Sequence, residues 1–304
     1  MLLKLVLCVS LLGGATLGNQ TAAAATSTEA HHDKEFWRMI AKNNFKPPAG
    51  SATSELAFEL SKSLGSQDPE LRDELAYTIL TTWIYKTHQI DPATLRSLTA
   101  EWLENLTAVS DPAADSVLRR SFSALMLSVV VARDNAQPFL EKQEFRKIWD
   151  GALAYLAAEK DLRGFDNRLG WIHSAAHTAD LLKFMARSRY IDRTDQAALL
   201  AAVRWKLSTA AVVFIYGEDE RYARAVLSVI MRKDFDVEAF QKWARDLRPI
   251  SPANALPNEQ MLHGNQNVKN FLAKLDFIVS LQPEQGPIVK AAEEAVRAAV
   301  KDTF

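Results

Sequence analysis

The chain has 304 residues, 48% of them hydrophobic, which is enough apolar material for one extended domain or two compact ones. A formal net charge of -1 argues against a basic surface for nucleic acid, so we expect no nucleic-acid partner. Few glycines and abundant alanine and leucine are typical of a helix-rich protein.

The first 25 residues have the pattern of a signal peptide. Lys4 gives a positive start, residues 2–12 form an apolar core, and small residues at 21–25 offer a cleavage site. No later apolar run is long enough to cross a bilayer, so we expect no transmembrane segment after cleavage. The sequence therefore predicts a bacterial protein that is periplasmic or secreted, with residues 26–304 forming a single all-helical repeat domain.

The single cysteine, Cys8, lies inside this N-terminal segment. The mature chain would then hold no disulfide and no cysteine nucleophile. Any metal site in it would have to use histidine and carboxylate ligands. A cysteine-free exported chain suits a bacterial periplasm or secretion.

Helical patterns follow one another along the rest of the chain, without strand-length alternation or hairpin-type glycine turns. Asp-Pro pairs beginning at Asp68, Asp91 and Asp111 each combine a capping side chain with proline at the first helical position, so they predict three helix starts. The predicted helices span residues 29–43, 51–64, 69–86, 112–132, 139–159, 170–186, 194–215, 217–232, 237–247, 268–281 and 283–301, with one more beginning at Pro92.

Residues 249–266 are predicted to form a polar loop, because three prolines interrupt a stretch with little pattern. We interpret His263 within it as part of a surface excursion, and a binding element is the alternative. Tryptophans at apolar helical positions are predicted to belong to the core. These are Trp83, Trp102, Trp149, Trp205 and Trp243.

Five segments align without gaps and indicate an internal repeat. Their second positions are Arg72, Arg119, His173, Arg221 and Lys269, separated by 47, 54, 48 and 48 residues. Two helices per unit at this length are close to HEAT or armadillo repeats, so we predict an all-α fold built as a short α-solenoid of helical pairs. A ring of α/α hairpins is the alternative.

The repeat would place a basic or imidazole side chain near the start of the second helix of each unit. Stacked units would align these positions on one surface, where side chains distant in sequence converge into a polar row. Ion pairs within one helix, such as Glu220 with Arg224, are the alternative for each member. The predicted row contains Asp73, Arg120, His173, His177, Glu220 and Arg224.

The stretch DLRGFDNRLGWIHSAAHTADLL, residues 161–182, concentrates reactive side chains. Helical spacing puts His173, His177 and Asp180 on one stripe, where two imidazoles and a carboxylate could bind zinc, manganese or iron. The glutamate that serves as general base in HExxH helices is missing. The alternative is that both imidazoles are hydrogen-bonded and structural.

Three acids and a base fill the turn that begins at Gly217. Acids in a first helical turn favour the positive end of the helix dipole, which is the simpler interpretation. The alternative is that Glu218 or Asp219 completes the metal-ligand set.

In the earlier DLRG turn, Gly164 is predicted to end a helix in the left-handed conformation. Arg163 is predicted to form a salt bridge, and binding of an anion is the alternative.

The motifs DLRG…GWIHSAAHTADLL and GEDERYARAVLSVIMR, preceded by LRDELAYTILTTWI and RRSFSAL, resemble a bacterial domain family of unknown function. Its members carry DLRG…GWxHxxAHxADLL followed by GEDERxAxAV, and the similarity spans about Asp68 to Ile278. Ile172 stands where alanine is expected, and Tyr222 where an aliphatic residue is common. The resemblance implies an all-helical fold and supplies no activity. The matching polar, glycine and tryptophan positions are Arg72, Asp73, Arg120, Asp161, Arg163, Gly164, Trp171, His173, His177, Asp180, Gly217, Glu218, Asp219, Glu220 and Arg221.

Two classes of function remain open. An exported binding module would hold a small molecule, peptide or protein on a helical surface, with a polar site around His173 and His177. A metal-dependent hydrolase would use these histidines with Asp180 and an acid from Glu218 or Asp219. We favour the first, because the ligand set is incomplete. The candidate site comprises Arg72, Asp73, Arg120, Arg163, His173, His177, Asp180, Glu218, Asp219, Glu220 and Arg221.

Overall fold

Helices make up nearly all of the regular structure in the computed structural model, which describes residues 32–107, 115–247, 256–282 and 286–303. The prediction of an all-α fold is therefore confirmed. A 3-10 turn, Ser63–Gly65, follows α2, and π-helical segments at Glu70–Tyr77 and Thr82–Lys86 flank α3. The α-helices are α1 (Lys34–Lys42), α2 (Thr53–Lys62), α3 (Thr78–Thr81), α4 (Pro92–Thr107), α5 (Val117–Ala136), α6 (Lys142–Ala158), α7 (Ser174–Met185), α8 (Arg193–Thr209), α9 (Glu218–Ile230), α10 (Val237–Arg245), α11 (Glu259–Ser280) and α12 (Pro287–Lys301).

Side-chain caps explain where several of these helices begin. The Asp91 carboxylate accepts hydrogen bonds from the backbone N–H groups of Ala93 and Thr94 at the start of α4. Asp68 accepts from the N–H of Glu70 in the same way. Two of the three Asp-Pro starts are thus confirmed, and the pair at residues 111–112 lies outside the described residues.

The helices from α4 onward are arranged in two layers. In one layer α5 packs on α7, α7 on α9 and α9 on α11. In the other, α4 packs on α6, α6 on α8 and α8 on α10. Each layer therefore takes alternate helices of the chain, and from Asp33 onward the described residues form one compact unit. No described helix has both the length and the apolar character needed to cross a bilayer.

One contact between neighbouring helices of the second layer occurs twice. Arg96 on α4 pairs with Glu144 in the first turn of α6 at 2.7 Å. Arg146 on α6 pairs with Asp195 in the first turn of α8 at 2.6 Å. The two arginines are 50 residues apart and the two acids 51, so an arginine–carboxylate pair joins successive helices of this layer at nearly constant spacing.

A short antiparallel hairpin interrupts the helices just before α7. Strands β1 (Phe165–Asp166) and β2 (Gly170–Trp171) pair, with Phe165 opposite Trp171. This pairing was not predicted, because two-residue strands leave no alternation to detect. Gly170 has a φ of 71°, which is the left-handed conformation that favours glycine.

The predicted polar loop over 249–266 is wrong from residue 259 onward, because α11 begins there. The side chain of Asn258 accepts from the N–H of Met261 and caps the helix. His263 therefore lies on α11, where its Nδ1 is 2.8 Å from the carbonyl oxygen of Ala211.

Among the tryptophans, Trp205 is 44% exposed and its assignment to the core is wrong. Val203 and Leu207 are buried on one face of α8, so position 205 between them lies on the opposite, exposed face.

Candidate functional site

A cavity of about 520 Å³ opens at the N-terminal ends of α7 and α9. The π-helical Glu70–Tyr77, the helix α5, the β-hairpin and the loop before α9 supply its other walls. Side chains from elements up to about 150 residues apart in sequence therefore meet there. Its polar and aromatic lining includes Asp73, Tyr77, Phe122, His173, His177 and Arg221.

His173 occupies the N-cap position of α7 with a left-handed backbone, φ 49° and ψ 34°. Its ring stacks on Trp171 with centroids 4.3 Å apart. Nε2 is buried and has no hydrogen-bond partner among the described residues; it lies 4.0 Å from Oε1 of Glu218. Burial, and secondarily the charge of Arg221, lowers the pKa of His173 to about 4, so the ring is neutral at pH 7.

His177 is held as a single tautomer by its neighbours. The Ser121 hydroxyl lies 2.8 Å from Nδ1 of His177, and the same hydroxyl contacts the carbonyl oxygen of Ile172. A carbonyl only accepts, so the one hydroxyl proton goes to Ile172 and Ser121 must accept from Nδ1–H. Burial lowers the pKa of His177 well below its usual range. A neutral ring protonated at Nδ1 leaves the Nε2 lone pair as its free acceptor.

Asp180 does not join the two histidines. Its carboxylate forms ion pairs with Arg221 on α9 and with Lys183 one turn further along α7. The left-handed backbone takes His173 out of the helical stripe, so the predicted ligand set of His173, His177 and Asp180 is not assembled. Within the described ranges no cluster of three or more histidine, cysteine or acidic side chains could hold a metal ion.

Asp73 brings a carboxyl group to the cavity, supported from behind by Arg72. The Arg72 side chain is fully buried; its Nε donates to Asp73 at 2.7 Å and its Nη2 donates to the Leu169 carbonyl at 2.6 Å. A further bond to the Trp171 carbonyl ties the same guanidinium to the hairpin. Burial raises the pKa of Asp73 to about 6, and the attraction of Arg72 offsets only part of this.

Three aromatic rings form a cluster at the mouth of the cavity: Phe165, Trp171 and Tyr216. Centroid distances are 4.9 Å from Phe165 to Trp171 and 6.1 Å from Trp171 to Tyr216. The three side chains are 40–43% exposed. This aromatic rim offers ring faces to a ligand entering the cavity.

Gly164 lies against this rim, and the prediction that it adopts the left-handed conformation is wrong. The chain continues from it into β1, so no helix ends there. A Cβ at this position would overlap the ring of Tyr216 and lie 2.8 Å from Oε1 of Glu218. Glycine is required here for close approach, while the left-handed residue of the later turn is Gly217, with φ 87°.

The remaining predicted site residues do not line the cavity. Arg120 pairs with Glu159 at 2.7 Å, and both side chains are buried. Arg163 is exposed and pairs with Asp161, which is the predicted salt bridge. The other three predicted residues have local roles. Glu218 accepts from the N–H of Tyr216, Asp219 accepts from the N–H of Glu220, and Glu220 pairs with Arg224.

Several residues that shape the site were missed from the sequence. The sequence could have identified Tyr216 as a site residue, since it directly precedes the Gly217 motif. It could not have identified Ser121, because a serine inside an apolar helix resembles any small core residue. Tyr77 and Phe122 also line the cavity, and nothing in the helical patterns around them singled them out.

The cavity therefore combines four chemical groups. His177 offers a neutral acceptor nitrogen, and Asp73 offers a carboxyl group whose pKa is near 6. Arg221 gives one nitrogen to Asp180, and its other N–H groups contact no acceptor among the described residues. With the aromatic rim, this set can recognise a small molecule that has a hydrogen-bond donor, an anionic group and a flat apolar face.

Comparisons with known proteins agree with the similarity predicted from the motifs. A family model described as "Protein of unknown function (DUF2785)" matches residues 103–277. The matched span includes His173, His177 and Arg221 and excludes Asp73. No curated protein matches the chain, and no solved structure does.

Proposed function

Because the chain belongs to the DUF2785 family, whose function is unknown, we propose from the cavity itself that the protein binds a small polar ligand. The observation that carries this proposal is the convergence of Asp73, His173, His177 and Arg221 on one cavity. These residues come from three separate helical segments and include polar atoms that no described residue satisfies. Such pockets, apolar at the rim with a few oriented polar groups, are typical ligand sites.

The ligand class follows from the groups that face the cavity. Nε2 of His177 requires a hydrogen-bond donor, and the free N–H groups of Arg221 suit a carboxylate. Trp171 and Tyr216 suit a planar or apolar part. We therefore propose an aromatic carboxylic acid that also carries a hydroxyl or amino group.

The repeat architecture and the location of the protein belong to the same proposal. Alternate helices form each layer, and the arginine–acid pair that joins α4 to α6 recurs between α6 and α8. These contacts support HEAT-like helical pairs stacked as a short solenoid. The N-terminal pattern supports export to the bacterial periplasm or secretion, where a binding protein would meet solutes.

A metal-dependent hydrolase is the second candidate. The observation in its favour is Nε2 of His173, which has no hydrogen-bond partner in the described part of the chain and lies 4.0 Å from a carboxylate oxygen of Glu218. His173 and Glu218 would be the residues that hold a divalent ion, and the ion would supply a Lewis acid for hydrolysis. Two ligands alone hold an ion weakly, and Asp180 is paired with Arg221 and Lys183.

The test is a thermal-shift screen of the full chain against aromatic amino acids and aromatic hydroxy acids. Binding raises the melting temperature of the parent, because a ligand stabilises the state that it binds. The shift is lost in His177→Phe and in Arg221→Ala, and is kept in His263→Phe, which alters a histidine outside the cavity. Shifts that persist in both cavity variants, or a panel that produces none in the parent, would refute the proposed ligand class.

A further inference from the structure

A second cavity, of about 660 Å³, lies at the C-terminal ends of α7 and α9. None of the described residues that line it also lines the cavity that contains the histidines. Among the residues that the structure describes, four cationic side chains and one acid, Asp234, line it. The cations are Arg187, Arg189, Arg232 and Lys233.

Two of the four cations have structural roles. Arg232 pairs with Asp234 at 2.8 Å and donates to the carbonyl oxygen of Ser188 at 2.9 Å. Its contacts with this and neighbouring carbonyls offset the negative end of α7. Arg189 pairs with Asp134 at 2.6 Å. Their charges are therefore neutralised within the fold.

Arg187 is oriented but not neutralised. Its Nε donates to the Ser228 hydroxyl at 3.0 Å, and that hydroxyl donates to the Arg224 carbonyl. The guanidinium lies over the Phe184 ring, 5.4 Å from the centroid. Among the described residues neither terminal nitrogen has an acceptor. A guanidinium held through Nε presents its two terminal nitrogens as a fixed fork, the geometry that binds a carboxylate or phosphate through two oxygens.

Lys233 lies at the same cavity and is exposed. No carboxylate in the described part of the chain lies within ion-pair distance of it, so the cavity has two uncompensated positive charges. Leu227 and Met231 add apolar surface beside them, and Met231 is about half exposed. The combination suits a small molecule with one anionic end and an apolar body.

We propose that this second cavity is an anion site that binds the carboxylate or phosphate end of a small organic anion. Arg187 provides the bidentate contact and Lys233 the additional charge. Ser228 and Phe184 act as positioning residues for the guanidinium. The site is independent of the proposed function, because it uses none of the residues of the histidine cavity.

Calorimetric titration of the full chain with hexanoate and with inorganic phosphate, at constant ionic strength, tests this proposal. We expect saturable binding of at least one probe, and Arg187→Ala and Lys233→Ala each weaken it by roughly tenfold, the usual effect of losing one charged hydrogen bond. Arg187→Lys, which keeps the charge but loses the fork, weakens it nearly as much as Arg187→Ala. Arg204→Ala and Lys274→Ala, at exposed positions on α8 and α11, leave the dissociation constant unchanged.

Ser228→Ala tests whether the orientation of the Arg187 guanidinium contributes to the affinity in addition to its charge. The variant removes the contact that orients Arg187 and keeps all four cations. We expect a several-fold weaker affinity with an unchanged circular dichroism spectrum. Equal affinity in the parent and Arg187→Ala would overturn the proposal. A parent protein that binds neither hexanoate nor phosphate would also overturn it. Sedimentation with phosphatidylglycerol vesicles that depends on Arg187 would assign the site to a lipid headgroup instead of a soluble anion.

Discussion

The hydroxyl of Ser121 lies 2.8 Å from Nδ1 of His177 and determines which nitrogen of that ring carries the proton. Ser121 lies on α5 and His177 on α7, so the packing of these two helices sets the chemistry offered to the cavity. The Ile172 carbonyl completes the arrangement by taking the serine proton. The acceptor nitrogen is thus specified by a residue outside the cavity lining.

Ser121→Ala should weaken both stability and ligand binding. The change removes the side-chain partner of the Nδ1–H of His177 and of the buried Ile172 carbonyl, and losing the partner of a buried polar group typically costs about 1–3 kcal/mol. Urea unfolding measures this loss, and the imidazole ¹⁵N spectrum should show mixed tautomers in place of Nδ1–H alone. Ser123→Ala, on the same helix, is the control, because Ser123 accepts from Asn105 and does not contact a histidine. A single unchanged tautomer in Ser121→Ala would contradict the assignment.

Stability should fall as the pH drops from 7 to 5, with His173 as one cause. Its folded pKa of about 4 lies below the unfolded value of 6.5, so in this interval the unfolded chain binds a proton that the folded chain does not bind. By pH 5 the resulting loss of unfolding free energy is about 2 kcal/mol. His173→Asn removes the titrating ring and tolerates the left-handed backbone, so its unfolding free energy should depend less steeply on pH.

Protonation of Asp73 changes the stability of the fold in the opposite direction to that of His173. Its folded pKa of about 6 is above the ordinary value of 3.8, so the folded chain holds a proton that the unfolded chain releases. This contribution stabilises the fold as the pH falls through 6, and Asp73→Asn should make the loss toward pH 5 steeper. Denaturant titrations at several pH values measure both slopes. Equal slopes in parent and both variants would contradict this account of the cavity.

Gly164→Ala should disturb the aromatic rim. The added methyl group would overlap the Tyr216 ring and press against Glu218, and such overpacking typically costs about 1–3 kcal/mol. We expect a lower melting temperature together with a changed Tyr216 environment in near-ultraviolet circular dichroism. Gly286→Ala is the matched control, since no described atom other than those of its chain neighbours lies within 4 Å of a Cβ there.

Arg72→Met should be among the most destabilising single changes. It removes the bonds to the hairpin carbonyls and leaves the Asp73 carboxyl buried without its cation, which typically costs about 3–5 kcal/mol. Denaturant unfolding measures the change. Arg168→Met, at an exposed arginine paired with Asp115, should cost less than 1 kcal/mol or so. Similar losses in the two variants would show that Arg72 does not organise the hairpin.

Metal analysis separates the two candidate functions. Protein purified without a tag or chelator should contain only substoichiometric zinc, manganese or iron, because the described residues around His173 offer two candidate donors and not three. A His173→Ala/His177→Ala double variant should contain the same low amount. Near-stoichiometric metal in the parent that is lost in the double variant would favour the hydrolase.

The fold was largely predictable, since its signals are local. Asp91 followed by proline starts α4 as predicted, whereas α11 was missed over residues 259–267 because its first turns are polar and contain glycine. Of the predicted polar row, Asp73, His173 and His177 line one cavity. Arg120 does not, because its guanidinium pairs with the buried Glu159 of another helix. Glu220 and Arg224 pair with each other instead, as in the alternative interpretation. Partner choice between helices depends on packing, which periodicity does not encode.

The left-handed backbone at His173 has a consequence for engineering. An imidazole-bearing residue is held there in a conformation that costs most amino acids roughly 1–2 kcal/mol and that glycine or asparagine adopts more easily. Selection for heat resistance alone would therefore exchange this histidine and lose its stacked ring. Directed evolution of a more robust scaffold should hold position 173 fixed, or retain only variants that still bind.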